Sequence, residues 1–280
     1  MKLKYLAAAV IGLSLTTTMP VTAGHHKAGE HAQVNAQLKS ALKSDFRSES
    51  NAKRDKYRNP GATLSFFEVT PDKTVIELWP GGGWYAEILA PYLADKGQYI
   101  AANFETNPSE DNRRTRYYAK AGKKFEKWVE DNKAVVKNVG FATLNPPEKT
   151  KLGEDNSADV VLTFRNLHNW AMAGNLESVF AGAYAVLKPG GVFGVVEHRA
   201  NPGMPADSGY MDQAEMVKLA EKVGFTLAEA SEINANAKDT KDYPKGVWTL
   251  PPRLAMEDQD KDKYLAIGES DRMTLKFVKK

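Results

Sequence analysis

The chain has no cysteine in its 280 residues. This excludes disulfides, thiolate metal sites, a cysteine nucleophile and a lipidated N-terminal cysteine. It is compatible with an oxidising compartment without requiring one. Beyond the first fifteen residues the sequence also lacks any apolar run long enough to cross a bilayer. Neither sign of charge is in large excess: 38 Lys and Arg face 35 Asp and Glu, for a formal charge of +3. The two signs are interleaved, so the footprint of a nucleic-acid partner is missing. The one basic stretch, Arg113 to Lys120, reads as an exposed helix face. There is no internal repeat and no low-complexity tract.

What is present begins with a leader pattern. Lys2 and Lys4 precede an apolar run from Leu6 to Leu15, and the small residues Val21-Thr22-Ala23 follow. That order reads as a secretory signal peptide, residues 1–23, cut after Ala23. The expected product is exported, periplasmic or secreted, and keeps no membrane anchor. No Arg-Arg pair supports an export route for folded chains. The remaining 257 residues suffice for one well-buried core. Cleavage there exposes Gly24-His25-His26, whose amine, amide nitrogens and imidazole form a set suited to Cu(II) or Ni(II), with His31 nearby. No other metal-ligating pattern stands out.

Residues 24–59 read as a polar, partly helical extension, with Val34, Leu38, Ala41 and Leu42 on one helix face. Such a helix packs on the edge of a domain or closes over a ligand. Turn chemistry at Asn59-Pro60-Gly61 leads into a main domain, residues 60–280. There the pattern alternates. Strands are expected at Thr74–Leu78, Gln98–Phe104, Ala134–Val139, Ala158–Phe164, Val192–Glu197, Phe225–Ser231 and Met273–Val278. Helices are expected at 84–93, 111–132, 175–187 and 211–223. Strand and helix alternating this regularly predict a doubly wound α/β sheet with helices on both faces.

The most informative residues are Val75-Ile76-Glu77-Leu78-Trp79-Pro80-Gly81-Gly82-Gly83-Trp84. A strand feeding a glycine turn that opens a helix lets backbone approach a ligand closely, beside unpaired N–H groups. In an open α/β sheet that crevice lies at the carboxyl ends of the strands. Gly81-x-Gly83-x-x-Ala86 also matches a dinucleotide fingerprint, with Glu105 a little beyond the usual acid, so nicotinamide chemistry is an alternative. The wider context resembles class I S-adenosylmethionine-dependent methyltransferases. Glu77 precedes the glycine turn, Asp155 to Leu162 resembles the family's fourth strand and its approach, and Leu187-Lys188-Pro189-Gly190-Gly191 resembles its turn into strand five. The resemblance covers roughly residues 60–280. More narrowly, Trp79 to Tyr85 together with Phe164 to Trp170 resembles a group of exported methyltransferase-like bacterial proteins.

The resemblance implies a seven-stranded, mostly parallel sheet with an antiparallel last strand, and S-adenosylmethionine as cofactor. Pro80, Gly81, Gly82 and Gly83 would lie against its amino-acid end and ribose, with Glu77 orienting the loop or meeting the ammonium group through water. Asn103, and Glu105 two residues on, stand where an acid usually holds the ribose, and Thr143 stands on the adenine side. Trp79 replaces the first glycine of the usual loop, and Pro80 donates no N–H. Past strand four, Arg165 and Asn166 are placed to orient the cofactor carboxylate or the acceptor, although a structural ion pair is the stronger reading of Arg165. His168 is the candidate base, since its ordinary pKa lies near neutral, with a hydrogen-bonded loop histidine as the plainer reading. Glu197-His198-Arg199 closes strand five and faces the same crevice, and Glu197 is the second catalytic candidate. Tyr210, Tyr243 and Trp248 are candidate acceptor-pocket aromatics, and Asp271 and Arg272 read as a salt-bridged turn. The acceptor, a small molecule or a protein, is not specified, and neither is the oligomeric state. A non-catalytic binder of another small ligand on the same fold is the alternative function.

Overall fold

A computed structural model describes residues 35–280. The expected leader, Gly24-His25-His26, His31 and Val34 lie outside the described residues. In chain order the elements are α1 (Ala36–Leu42), α2 (Glu49–Ala52), α3 (Asp55–Arg58), α4 (Pro60–Phe66), β1 (Thr74–Leu78), α5 (Ala86–Leu93), β2 (Gln98–Asn103), α6 (Arg113–Asp131) and β3 (Val139–Thr143). They continue with β4 (Ala158–Phe164), α7 (Leu167–Met172), α8 (Leu176–Val186), β5 (Leu187–His198), α9 (Gln213–Val223), β6 (Phe225–Ser231), α10 (Lys261–Ile267) and β7 (Arg272–Lys279).

The strands form one sheet of seven in the order β3-β2-β1-β4-β5-β7-β6. The first five run parallel, while β7 pairs antiparallel with both β5 and β6. This is the doubly wound sheet expected from the alternation. Central strands are apolar on both faces: Val75 and Val160 point into one core with Leu38, Leu64, Ile88 and Phe125. Ile76 and Val161 point into the other, with Phe180, Phe193 and Phe277. A period-2 strand buried between two helical layers needs this composition. The amphipathic helix expected in the extension is α1. Leu38 is fully buried, and Asn35 caps the helix by accepting from the Leu38 N–H at 2.7 Å.

One strand is not where the pattern put it. Residues 134–136 form a turn closing α6, with the N–H groups of Val135 and Val136 both bonded to the Asn132 carbonyl, at 2.9 and 3.0 Å. The strand lies further on, at Val139–Thr143. The β-branched pair Val135-Val136 has the composition of a strand, yet Val136 serves as a buried plug beneath the helix end. Packing overrode local propensity there. In β5 the turn-like Lys188-Pro189-Gly190-Gly191 bulges between Leu187, which pairs with Ala158, and Val192, which pairs with Val160.

The sheet order positions the site. β1, β4 and β5 end side by side, and antiparallel β7 begins at the same edge, placing Arg272 opposite His198. Everything that follows β1 and β4, ends β5 or precedes β7 therefore gathers over one rim.

Candidate active site

Over that rim lies a cavity of about 370 Å³. Its floor is the turn after β1. Gly81 and Gly83 adopt positive φ, +59° and +80°, which a side chain would strain. A Cβ on Gly82 would meet nothing within 4 Å, so the loop's outer surface is open to a ligand. Pro80, Gly81 and Gly82 line the cavity. Gly83 instead permits packing, since its Cβ would sit 3.4 Å from the Phe125 ring. Glu77, nearly at the end of β1, also lines the cavity while 3 % exposed. Burial raises its pKa to about 7, against the opposing effects of the Tyr99 hydroxyl, which donates to it at 2.6 Å, and of Arg165.

Arginines crowd one wall. Arg54 Nε donates to Glu269 at 2.7 Å, Arg58 Nε at 3.1 Å and Arg272 Nη1 at 3.3 Å. Arg165, held at φ +63° after β4, lines the same cavity with no side-chain hydrogen bond among the described residues. Burial chiefly lowers its pKa to about 10, with Arg272 and Arg54 adding to that and Glu269 opposing it. Glu269 is drawn down to about 2: burial pushes it up, but the surrounding guanidiniums outweigh that. One carboxylate does not saturate these donors, and buried Arg54 Nη2 and Arg58 Nη1 have no partner among the described residues. An unsaturated guanidinium fork suits a carboxylate or phosphate.

Opposite stands the pair expected to be catalytic. His168 Nδ1 lies 3.2 Å from Glu197 Oε1. Glu197 is fully buried, accepting from the Leu167 N–H at 2.6 Å and from the His198 N–H at 2.8 Å. Both histidine rings line the cavity, and the Trp248 ring stands edge-on to His168. His198 is bonded through Nδ1 to Ser270 Oγ. Its pKa falls well below the ordinary value, first through burial and then through the charges of His168 and Arg165. Asn166 ties this wall to the floor, its Nδ2 donating to the Leu78 carbonyl at 3.0 Å.

Glu77, Pro80, Gly81, Gly82, Arg165, Asn166, His168 and Trp248 thus line one cavity, with Glu197 directly behind it. The ribose-side candidates do not join them. Asn103 turns inward, donating to the Gly122 carbonyl at 3.2 Å and accepting from the Phe104 N–H at 2.9 Å. Thr143, the last residue of β3, is exposed and lines neither this cavity nor its neighbour. Glu105 belongs to a second cavity, of about 620 Å³, over β2 and β3, where Lys149 pairs with it. Tyr210 is buried against Asp239, and Tyr243 also lies away from the cavity. Asp271 and Arg272 are both ion-paired, but Asp271 with Arg199 and Lys241, and Arg272 with Glu269.

Trp79 separates the two cavities and lines both. Its backbone sits at φ +47°, and its indole packs on Phe104, Trp170 and Tyr118 at 4.8, 5.0 and 5.3 Å between ring centres. Nε1–H donates to the Leu144 carbonyl at 2.8 Å, so the indole reaches across the ends of β2 and β3. This is the side on which the resemblance places ribose and adenine. The residues present therefore fit the amino-acid end of S-adenosylmethionine, and the indole stands between that cavity and the side where the resemblance places the adenosyl end.

Sequence reasoning missed Arg54, Arg58, Glu269 and Ser270. Only the four-residue spacing of the arginines beside a turn was visible. Their carboxylate lies 215 and 211 positions away, and no local pattern joins the two.

No protein-family model matches the chain, and a search of curated proteins gave no match either. Solved structures do resemble it. A protein described as a candidate sarcosine dimethylglycine methyltransferase from Galdieria sulphuraria is 14% identical, over 89% of this chain and 92% of its own, with a TM-score of 0.53. The [4+2]-cyclase SpnF is 14% identical over 85% of each chain, also at 0.53. An S-adenosylmethionine-dependent methyltransferase from Aquifex aeolicus is 18% identical over 65% of this chain and 87% of its own, at 0.49. At such identities the first two likenesses establish the fold. It is the Rossmann-like fold of class I methyltransferases, and one of the two neighbours carries a cyclase name.

Proposed function

We propose that the chain is an S-adenosylmethionine-dependent methyltransferase working after export, with the Pro80–Gly83 turn and the arginine wall holding the amino-acid end of the cofactor. When bound, the cofactor supplies an electrophilic methyl group. The protein's part is to position the acceptor in line and to remove its proton. His168 takes that proton, and Glu197 behind it stabilises the imidazolium so formed. Arg54, Arg58 and Arg165 pair with the cofactor carboxylate, and Glu77 faces its ammonium group. The observation that carries this reading is the convergence of an open glycine turn, unsaturated guanidiniums and a carboxylate-backed histidine on one cavity. Export, and the narrower likeness to exported methyltransferase-like bacterial proteins, rest on the leader pattern and on the Trp79–Tyr85 and Phe164–Trp170 motifs.

Trp79 favours a second reading. If the indole stays in place, the cavity takes only a small organic anion, and the chain is a non-catalytic binding protein on a methyltransferase fold. Calorimetric titration of residues 24–280 with S-adenosylmethionine and its demethylated product separates the two, with Gly82→Asp as control. Micromolar binding that Gly82→Asp abolishes supports the enzyme. Absence of binding by the folded wild type sinks methyl transfer and leaves the anion binder.

A further inference from the structure

We infer that His168, Glu197 and His198 form a binding site for a borderline divalent metal ion of the zinc type, at the wall of the cavity. Each residue offers one donor atom, and the three donors lie within 4.8 Å of one another. Two contributors, Glu197 and His198, are adjacent on β5, and the third enters from the first turn of α7. The separation of His168 Nδ1 from Glu197 Oε1, 3.2 Å, is informative. A charge-assisted N–H···O bond is usually about 2.7–2.9 Å. Two donors each about 2.0 Å from a common zinc ion, in tetrahedral arrangement, stand about 3.3 Å apart. The pair is spaced more like two ligands than like a tight ion pair.

The surroundings have the outer partners that metal ligands need. Ser270 Oγ engages Nδ1 of His198 and leaves Nε2 as the donor. Glu197 is oriented by two backbone N–H groups, from Leu167 and His198. Three protein ligands beside a cavity leave a coordination position open on the cavity side, the pattern of reactive rather than purely structural sites. The charge environment narrows the choice of ion. Arg58, Arg165 and Arg272 act electrostatically on His198 and oppose an added cation, with Glu269 only partly offsetting them. A hard ion that relies on carboxylates, such as magnesium or calcium, gains too little from one glutamate. Imidazole donors favour zinc, cobalt or nickel. The site does not depend on methyl transfer, since a binding protein could carry it equally well; an ion held there replaces the His168–Glu197 contact that the proton-transfer reading uses, so that reading describes the metal-free protein.

The chain's five histidines make the test clean, because His25, His26 and His31 are the only others. Residues 24–280 carrying His25→Ala, His26→Ala and His31→Ala are stripped with chelator and titrated with zinc chloride, then with cobalt chloride. The expected result is one ion per chain at micromolar affinity or better, with visible cobalt absorption. His168→Gln and His198→Gln should each weaken binding at least 100-fold while circular dichroism stays unchanged. Should either variant unfold, X-ray absorption on the zinc-loaded background protein decides: two imidazoles around zinc support the site, and fewer overturn it. Failure of the folded protein to hold zinc, or equal affinity in both variants, also overturns it. A failed methyl-transfer reading would show separately, as loss of S-adenosylmethionine binding with metal binding intact.

Discussion

At the scale of single residues, two side chains carry costs that ought to be measurable. Glu77 is buried with a pKa near 7, against an ordinary value of 4.5. Because the folded value is the raised one, the stabilising effect of its proton is complete below about pH 4.5 and is lost as pH rises through about 7. The span corresponds to about 3 kcal/mol. Glu77→Gln should flatten this part of the pH profile, so that the variant gains on the wild type between pH 5 and pH 8 in urea titrations. Parallel profiles would mean that Glu77 is not the titrating group. Trp79 poses the opposite balance. Glycine at φ +47° relieves strain of about 1–2 kcal/mol, but loss of a buried aromatic side chain costs about 3–5 kcal/mol. Packing wins, so Trp79→Gly should lower stability by roughly 2–3 kcal/mol and yet bind S-adenosylmethionine at least tenfold more tightly. Unchanged or weaker affinity in the folded variant would show that the indole does not stand in the cofactor's way.

At the scale of elements, the β1–turn–α5 unit separates two glycines that look alike in sequence. Gly82 faces open space, whereas Gly83 sits at φ +80° with the Phe125 ring close by. Gly83→Ala should therefore cost about 1–2 kcal/mol, while Gly82→Ala should leave stability within about 0.5 kcal/mol and weaken only ligand binding. Thermal melts of the two variants decide this, and equal losses would refute the assignment. This unit was fully legible in the sequence, because its strand period, glycines and following helix are all local signals. That His168 and Glu197 would face one crevice was legible too, from neighbouring strand ends in a known sheet order, but their direct contact was not. The third strand was not legible, since Val135-Val136 has strand composition but plugs a helix end. Asn103 was placed at the right strand end, yet its side chain was claimed by the Gly122 carbonyl. Nothing in one sequence reveals which of two polar partners, ligand or backbone, an asparagine will take. Nor could Trp79 be read as a partition, because its contacts come from β2, α6, α7 and the segment after β3.

At the scale of the whole molecule, Glu269 is the joint between the N-terminal helices and the sheet. It receives Arg54 and Arg58 from α3 and its preceding turn, and Arg272 from the start of β7. The N-terminal extension is thereby part of the cavity wall and not an appendage. Removing this carboxylate leaves buried guanidiniums without compensation, a change that typically costs about 3–5 kcal/mol. The pH dependence follows from its pKa of about 2, depressed from 4.5. A depressed carboxylate stabilises above its ordinary pKa, and that contribution is lost as pH falls from about 4.5 towards 2. Glu269→Gln should therefore be far less stable than the wild type at pH 7, and the gap should close as both approach pH 2–3. Because the joint links α3 to β7, the variant should also expose residues 35–58 to proteolysis before the sheet unfolds. Urea midpoints at several pH values, with limited proteolysis beside them, test both expectations. A gap that stayed constant with pH would assign the loss to shape rather than charge, and cleavage spread evenly along the chain would remove Glu269 from its place as the joint.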